Sequence, residues 1–340
     1  MTSIRFNHAL FGAALAAASL CAQAQPFTGM FVFGDSLSDS GNNASLVGSA
    51  PGQVITGNSY VPSQPYGMNA YTNGQTWVNS VAAGLGLPAG GVPSRAGGGN
   101  YAYGGARTVL NGTDLPVLPG FPPSATTQLL GGPSALPWMN GYLTPLASVP
   151  ATALYVIAVG GNDVRDLSVA VATGVTLPTA IPGLAAAYAT AVGNMVDALQ
   201  AKGAQRIVVW DTPNVGTTPA ALTGGPSFAG LATSISSAFN AALFSRMSIE
   251  PSSVSVFDVF GITNTIIANP GAYGLTNVTD ACGAVPGCNP SQYLFWDGIH
   301  PTSAGHALIA SSMLAAVPEP SSMLLLAVGI CGLLALRRRA

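Results

Sequence analysis

Four short apolar runs, each closing on a turn sequence, set the strongest limit on how this chain can fold. They are Met30 to Phe33 before Gly34, Ala153 to Val159 before Gly160-Gly161-Asn162-Asp163, Arg206 to Asp211, and Val254 to Val259. A strand with one wet face alternates apolar and polar residues. An unbroken apolar run bounded by turn residues instead fits a strand covered on both faces, as in a parallel sheet. Helical patterns lie between and after the runs. From Leu184 to Lys202, residues Leu184, Tyr188, Ala191, Met195 and Leu199 recur on one face, and Gly203 supplies a stop. From Phe228 to Met247 the recurring residues are Leu231, Ile235, Phe239 and Leu243, and Ser303 to Leu314 follows Pro301 and a hydroxyl cap. Strands alternating with helices predict an α/β fold, a three-layer α/β/α sandwich around a central, mainly parallel sheet. Sites in such sheets form at the carboxyl ends of the strands. The Gly/Pro-rich stretches 44–75 and 111–150 read as long loops and candidate walls of a cleft.

The two ends read as addresses. Arg5 and His8 precede an apolar stretch from Ala9 to Leu20 and the small-residue site Ala22-Gln23-Ala24, the layout of a signal peptide over residues 1–24. Its partners would be the export machinery and signal peptidase. Cys21 raises a lipoprotein alternative, but Leu20 is bulky where such sites want a small residue. At the other end, Val317-Pro318-Glu319-Pro320 is followed by an uncharged, mostly apolar run from Ser321 to Leu336 and then Arg337-Arg338-Arg339. The run falls short of the ~20 residues of a spanning helix, and the basic cluster would stay on the cytoplasmic side. This tail, residues 317–340, resembles a PEP-CTERM sorting signal, found in bacteria that make exopolysaccharide. The resemblance implies an exosortase-like partner, transient inner-membrane contact, and release or surface attachment. A plain membrane anchor is the alternative.

Between the ends, residues 25–316 have no linker or repeat and read as one domain. Only 6% of the chain is charged. From Gln25 to Ala316 six basic side chains face eleven acidic ones, with no basic stripe, so nucleic acid has no electrostatic footprint. Cys282 and Cys288 are the cysteines left between the ends. In an oxidising compartment they are expected to pair as a local clamp before the segment 297–300. Zinc, the alternative, would need more ligands than two thiols and one spare histidine.

The chemistry-bearing residues are few. His8 belongs to the leader, leaving His300 and His306. His300 follows Asp297 in Asp297-Gly298-Ile299-His300-Pro301-Thr302, whereas His306 falls on the predicted helix, where a structural role is the default. Ser36 sits in Gly34-Asp35-Ser36-Leu37 at the end of the first apolar run. A serine nucleophile, a histidine base and an aspartate that holds the imidazole tautomer are the parts of a nucleophilic hydrolase. Ser38 and Ser40 are rivals by proximity only, and Asp35, Asp39 and Asp163 are expected to brace turns rather than titrate. The chain lacks Gly-x-Ser-x-Gly, which removes the nucleophile elbow of α/β-hydrolases. Metal catalysis through Asp-x-x-His would need a further ligand, and no cluster in the sequence supplies one. No cofactor or metal is implied.

Four pieces in order, Gly34-Asp35-Ser36-Leu37, Asn100-Tyr101-Ala102-Tyr103-Gly104-Gly105-Ala106, Gly160-Gly161-Asn162-Asp163 and Asp297-Gly298-Ile299-His300, resemble the GDSL/SGNH hydrolase superfamily over residues 28 to about 316. Asn289 to Tyr293 and Phe295-Trp296-Asp297 are similar to its exported lipase/esterase branch. The resemblance implies an SGNH/flavodoxin-like sheet, a catalytic triad of Ser36, Asp297 and His300, and an oxyanion hole from Ser36, Gly105 and Asn162. Gly104 remains an alternative to Gly105. It further implies an exported esterase or lipase working through an acyl-enzyme on a lipid, a small ester or an acylated carbohydrate. A polysaccharide O-deacetylase is the alternative of the same mechanism. A non-catalytic matrix or adhesion protein on a hydrolase scaffold is the rival of another class, and it predicts decay of the catalytic residues.

Overall fold

The computed structural model describes residues 27–47, 66–112, 118–132 and 136–317. The leader at 1–24, with Cys21, and the tail from Pro318 onward lie outside the described residues, as do parts of the two Gly/Pro-rich stretches. In chain order the elements are β1 (Met30–Gly34), α1 (Asn42–Val47), α2 (Trp77–Gly84), α3 (Ala125–Leu130), β2 (Leu154–Ala158), α4 (Gly161–Ala172), α5 (Ile181–Ala201), β3 (Ile207–Trp210), α6 (Pro219–Thr223), α7 (Pro226–Met247), β4 (Val254–Phe257), α8 (Val259–Ala268), β5 (Asn277–Ala281), β6 (Tyr293–Phe295) and α9 (Ser303–Ala316).

The four expected strands form one parallel sheet in the order β1-β2-β3-β4, with Met30 opposite Leu154, Val156 opposite Val208 and Ile207 opposite Val254. All of β2 and β3 is buried, which is why their apolar runs are continuous. Alternate residues feed two cores. Phe33, Tyr155, Ile157 and Val209 join the helices α5 and α7, while Val32, Val156, Val208 and Trp210 join α2 and α9. Each large side chain so buried contributes roughly 1.5–3 kcal/mol relative to exposure. The architecture is the expected α/β/α sandwich.

On the outer side of β1 the segment 99–103 runs parallel to it. Val32 N–H donates to the Gly99 carbonyl at 3.0 Å, Tyr101 N–H to Val32 at 2.8 Å and Tyr103 N–H to Gly34 at 3.2 Å. β1 therefore has a later segment on each side, and the direction of chain progression reverses there. Such a switch opens a crevice at the carboxyl ends of the strands, into which the loops after β1, after segment 99–103 and after β2 all project.

Several expectations need correcting. The stretch 111–150 is not one loop, because it contains α3, capped by Ser124 Oγ accepting from Thr127 N–H, and a 3-10 turn at Pro137–Met139. Likewise α1 occupies the start of 44–75. On α5 the buried face is Ala185, Tyr188, Val192, Met195, Val196 and Leu199; Leu184 lies outside it and is exposed, and Ala191 is half-buried. The helix still ends as expected, with Gly203 at φ +101°. A second, two-stranded parallel sheet of β5 and β6 was not anticipated. Between its strands Cys282 and Cys288 form a disulfide with Cα atoms 5.6 Å apart. Finally, Val317 is still packed into the core, one residue past the expected domain end.

Candidate active site

The turn after β1 is built by its own carboxylates. Asp35 Oδ1 accepts the Leu37 N–H at 3.0 Å, and the N–H groups of Ser38 and Asp39 both donate to the Asp35 carbonyl at 3.0 Å. Buried Asp39 accepts from the N–H groups of Gly41 (2.8 Å), Asn42 (2.7 Å), Asn43 (3.2 Å) and, across the crevice, Gly104 (2.9 Å). Asn100 adds to this joint by donating its amide to the Ser38 carbonyl at 2.6 Å and to Ser40 Oγ at 2.8 Å. At the strand end itself, Gln128 of α3 pairs with both polar groups of Gly34. It accepts from the N–H and donates to the carbonyl, each at 2.8 Å. A side chain at position 34 would strike the Ala158 carbonyl oxygen, so only glycine fits.

Ser36 emerges from this braced turn, and the loop after β6 brings His300 to it. His300 Nε2 lies 2.7 Å from Ser36 Oγ, and His300 Nδ1 lies 2.6 Å from Asp297 Oδ2. The loop is pinned by Asp297 Oδ1, which accepts the N–H groups of Ile299 (2.8 Å) and His300 (2.6 Å). Trp296 N–H donating to the His300 carbonyl and Gly283 N–H donating to Trp296, both at 2.8 Å, tie it to the disulfide loop. The rival serines are engaged elsewhere: Ser38 Oγ accepts from Trp77 Nε1 at 3.2 Å, and Ser40 Oγ donates to the Gly91 carbonyl at 2.8 Å. Ser36, His300 and Asp297 are 7%, 5% and 0% exposed, so their polar contacts are shielded from water.

Asn162 opens α4 and lines the same cavity as Ser36 and His300. Its amide donates to the Ala106 carbonyl at 2.9 Å, which fixes the plane, and among the described residues its second hydrogen has no acceptor. Gly105 adopts φ +80°, a conformation that favours glycine. Its neighbour Gly104 already directs its N–H at Asp39, which separates the two glycines in a way the sequence did not.

Two aromatic residues were missed. Tyr66 donates its hydroxyl to Asp297 Oδ2 at 2.6 Å, and the Tyr71 ring centroid sits 5.2 Å from that of His300. No periodic signal marks them; their only hint was a place in the stretch 44–75. His306 lies buried on α9, with neither ring nitrogen hydrogen-bonded among the described residues, and burial pushes its imidazole down to about 3.

The turn-bracing aspartates also depart from expectation. They brace as anticipated, yet burial pushes Asp35, Asp39 and Asp163 each up to about 6, against the opposing pull of the N–H groups they accept. A raised carboxyl keeps its proton longer when folded, so its contribution is fully present below the unfolded value and is lost as pH rises through about 6. Replacing Asp35 with Asn removes this titration. The melting temperature of Asp35→Asn relative to the parent is therefore expected to be more favourable at pH 7 than at pH 4, by the equivalent of on the order of 1 kcal/mol or more. A difference that stays flat with pH would contradict the assignment.

Comparison with known proteins follows the same lines. The GDSL-like Lipase/Acylhydrolase family matches residues 30–313, and the PEP-CTERM protein-sorting motif matches residues 316–339. An uncharacterised protein from the trpE–trpG intergenic region of Pseudomonas putida is 30% identical over 95% of this chain and 54% of its own length. Esterase EstA of Pseudomonas aeruginosa is 30% identical over 92% of this chain and 50% of its own. Acetylajmalan esterase 2 of Rauvolfia serpentina is 27% identical over 85% and 90%. The chain thus spans about half the length of the Pseudomonas relatives. The sorting motif supports export, with membrane-associated processing before release. With the family matched across the whole described domain, this chain belongs to the GDSL-like lipase/acylhydrolase family and carries a PEP-CTERM protein-sorting motif.

Proposed function

We propose that this protein is an exported serine hydrolase that cleaves carboxylic esters through an acyl-enzyme. The observation that carries the reading is the unbroken hydrogen-bonded line from Ser36 Oγ through the His300 ring to Asp297. In this reading Asp297 holds the proton of the imidazole on Nδ1, leaving Nε2 to take the Ser36 proton as Oγ attacks the ester carbonyl carbon. The tetrahedral intermediate collapses as the carbon–oxygen bond to the alcohol breaks and His300 returns its proton to the leaving oxygen. Water then repeats the sequence on the acyl-Ser36 and releases the acid. The Ser36 and Gly105 N–H groups and the Asn162 amide would hold the oxyanion. Gly105 is favoured over Gly104 because the Gly104 N–H is bonded to Asp39. Residues 1–24 are then a removable leader and the tail from 318 a sorting signal. A retired scaffold would not need this line to be complete, which counts against the non-catalytic rival.

The reading is tested by turnover of p-nitrophenyl esters by the purified protein and its Asn162→Ala variant. Asn162 would act on charge that develops only in the transition state. The variant is expected to lose roughly 10²–10³ in kcat with KM little changed. A change confined to KM would move Asn162 to substrate recognition, and a folded parent that hydrolyses no ester would end the reading.

A further inference from the structure

The Asp297 carboxylate serves two side chains at once. Wholly buried, it accepts the N–H groups of Ile299 (2.8 Å) and His300 (2.6 Å) on Oδ1, while Oδ2 meets His300 Nδ1 and accepts the Tyr66 hydroxyl, each at 2.6 Å. The imidazole and the phenol therefore share one oxygen. Tyr66 is held in place from behind. The Asn43 amide on α1 donates to the Tyr71 hydroxyl at 2.6 Å, and the Tyr71 ring meets that of Tyr66 edge-on, with centroids 5.5 Å apart and planes at 60°. Packing as well as the hydrogen bond thus aims the Tyr66 hydroxyl. Burial and the neighbouring Asp297 charge push this phenol far above its ordinary range, so it keeps its proton and stays a donor at any working pH.

We infer that Tyr66 is a positioning residue that shares the Asp297 carboxylate with His300 and so keeps the imidazole neutral, and able to act as a base, at lower pH than the Asp–His pair alone would. The inference rests on the ester-hydrolase reading above. A hydroxyl donating to a carboxylate oxygen draws off part of its negative charge. An imidazolium facing that oxygen through Nδ1 then meets a weaker counter-charge, and proton uptake by His300 is less favoured. The other titratable groups that face His300 are Asp35 on the turn after β1, His306 on α9 and Tyr71. Behind them stand Asp163 and Arg165 of α4, which face Asp35, and Asp39, which faces Tyr71. All of these stay in place when only the Tyr66 hydroxyl is removed.

The test compares the purified parent with Tyr66→Phe and Tyr66→Leu by two readings. One is the pH profile of kcat/KM on a single p-nitrophenyl ester; the other is the pH titration of the His300 ring followed by NMR. Thermal melts verify that both variants fold. In both, the acid limb of the profile and the His300 titration are expected to move upward together by about half to one pH unit. The ratio of kcat/KM at low pH to its plateau then falls about three- to tenfold. Asp35, pushed up to about 6 by burial, titrates in the same range, so the shift is expected to persist when the comparison is repeated in an Asp35→Asn background. His306, pushed down to about 3, stays outside that range. An even loss at every pH with the His300 titration unmoved would leave Tyr66 a structural role and overturn the inference. A shift in Tyr66→Leu without one in Tyr66→Phe would also overturn it, by assigning the effect to the ring and not the hydroxyl. Hydrolysis of no ester by the parent would instead overturn the ester-hydrolase reading, while the His300 titration would still decide what Tyr66 does to the imidazole.

Discussion

Ser36→Ala is expected to lower kcat for ester hydrolysis by about 10⁴-fold or more, with little effect on the melting temperature. The size follows from the proposed role: in that mechanism there is no acyl-enzyme without Oγ, and only the proposed oxyanion donors and the binding pocket would remain to accelerate attack by water. The small effect on stability follows from the surroundings. The turn is held by Asp35, Asp39 and Asn100 through backbone groups, and among the described residues Ser36 Oγ contributes its contact with His300. Ser38 and Ser40 do not substitute, because each hydroxyl is bonded away from the crevice. Assays of kcat alongside thermal melts check both halves of the expectation. Undiminished turnover in a clean preparation would remove Ser36 from the mechanism.

The second large effect separates the two histidines. His300→Ala is expected to abolish nearly all turnover, whereas His306→Ala is expected to leave kcat/KM per folded molecule nearly unchanged. Both lie in one short segment, but only His300 bridges Ser36 and a carboxylate, while His306 is sealed in the core. Asp297→Asn is expected to cost about 10⁴-fold in kcat. Its oxygen can still accept the Ile299 and His300 N–H groups, so the loop survives. Its NH₂ would then face His300 Nδ1 and the Tyr66 hydroxyl. That arrangement puts the imidazole proton on Nε2, where it opposes the Ser36 hydroxyl instead of receiving its proton. Measuring kcat/KM for the three variants on one short-chain ester is sufficient. A dead His306→Ala beside an active His300→Ala would assign the base wrongly here.

How much of this was legible depended on distance along the chain. The four sheet strands announce themselves because both faces are covered, so their apolar runs are unbroken. β5 and β6 do not, because Asn277–Ala281 is polar and largely half-exposed and Tyr293–Phe295 is only three residues long. Ser36, Asp297 and His300 could be read from local motifs. Tyr66 and Gln128 could not, since their partners lie 231 and 94 positions away and nothing in the flanking sequence is periodic. The choice between Gly104 and Gly105 needed the same kind of long-range fact, the Asp39 carboxylate that accepts the Gly104 N–H. The titration of Asp35, Asp39 and Asp163 was missed because burial, not residue type, raises it.

The central claim is that Ser36 is a nucleophile activated by His300, and labelling with an alkyl fluorophosphonate followed by peptide mass mapping tests it most directly. The reagent bonds covalently to a serine whose proton a neighbouring base removes, and it mimics the tetrahedral intermediate once attached. The account predicts a single label on the peptide carrying Gly34-Asp35-Ser36-Leu37, ester hydrolysis that falls in step with its occupancy, and no label in His300→Ala. A label on another residue, or full hydrolysis with Ser36 completely labelled, would contradict it.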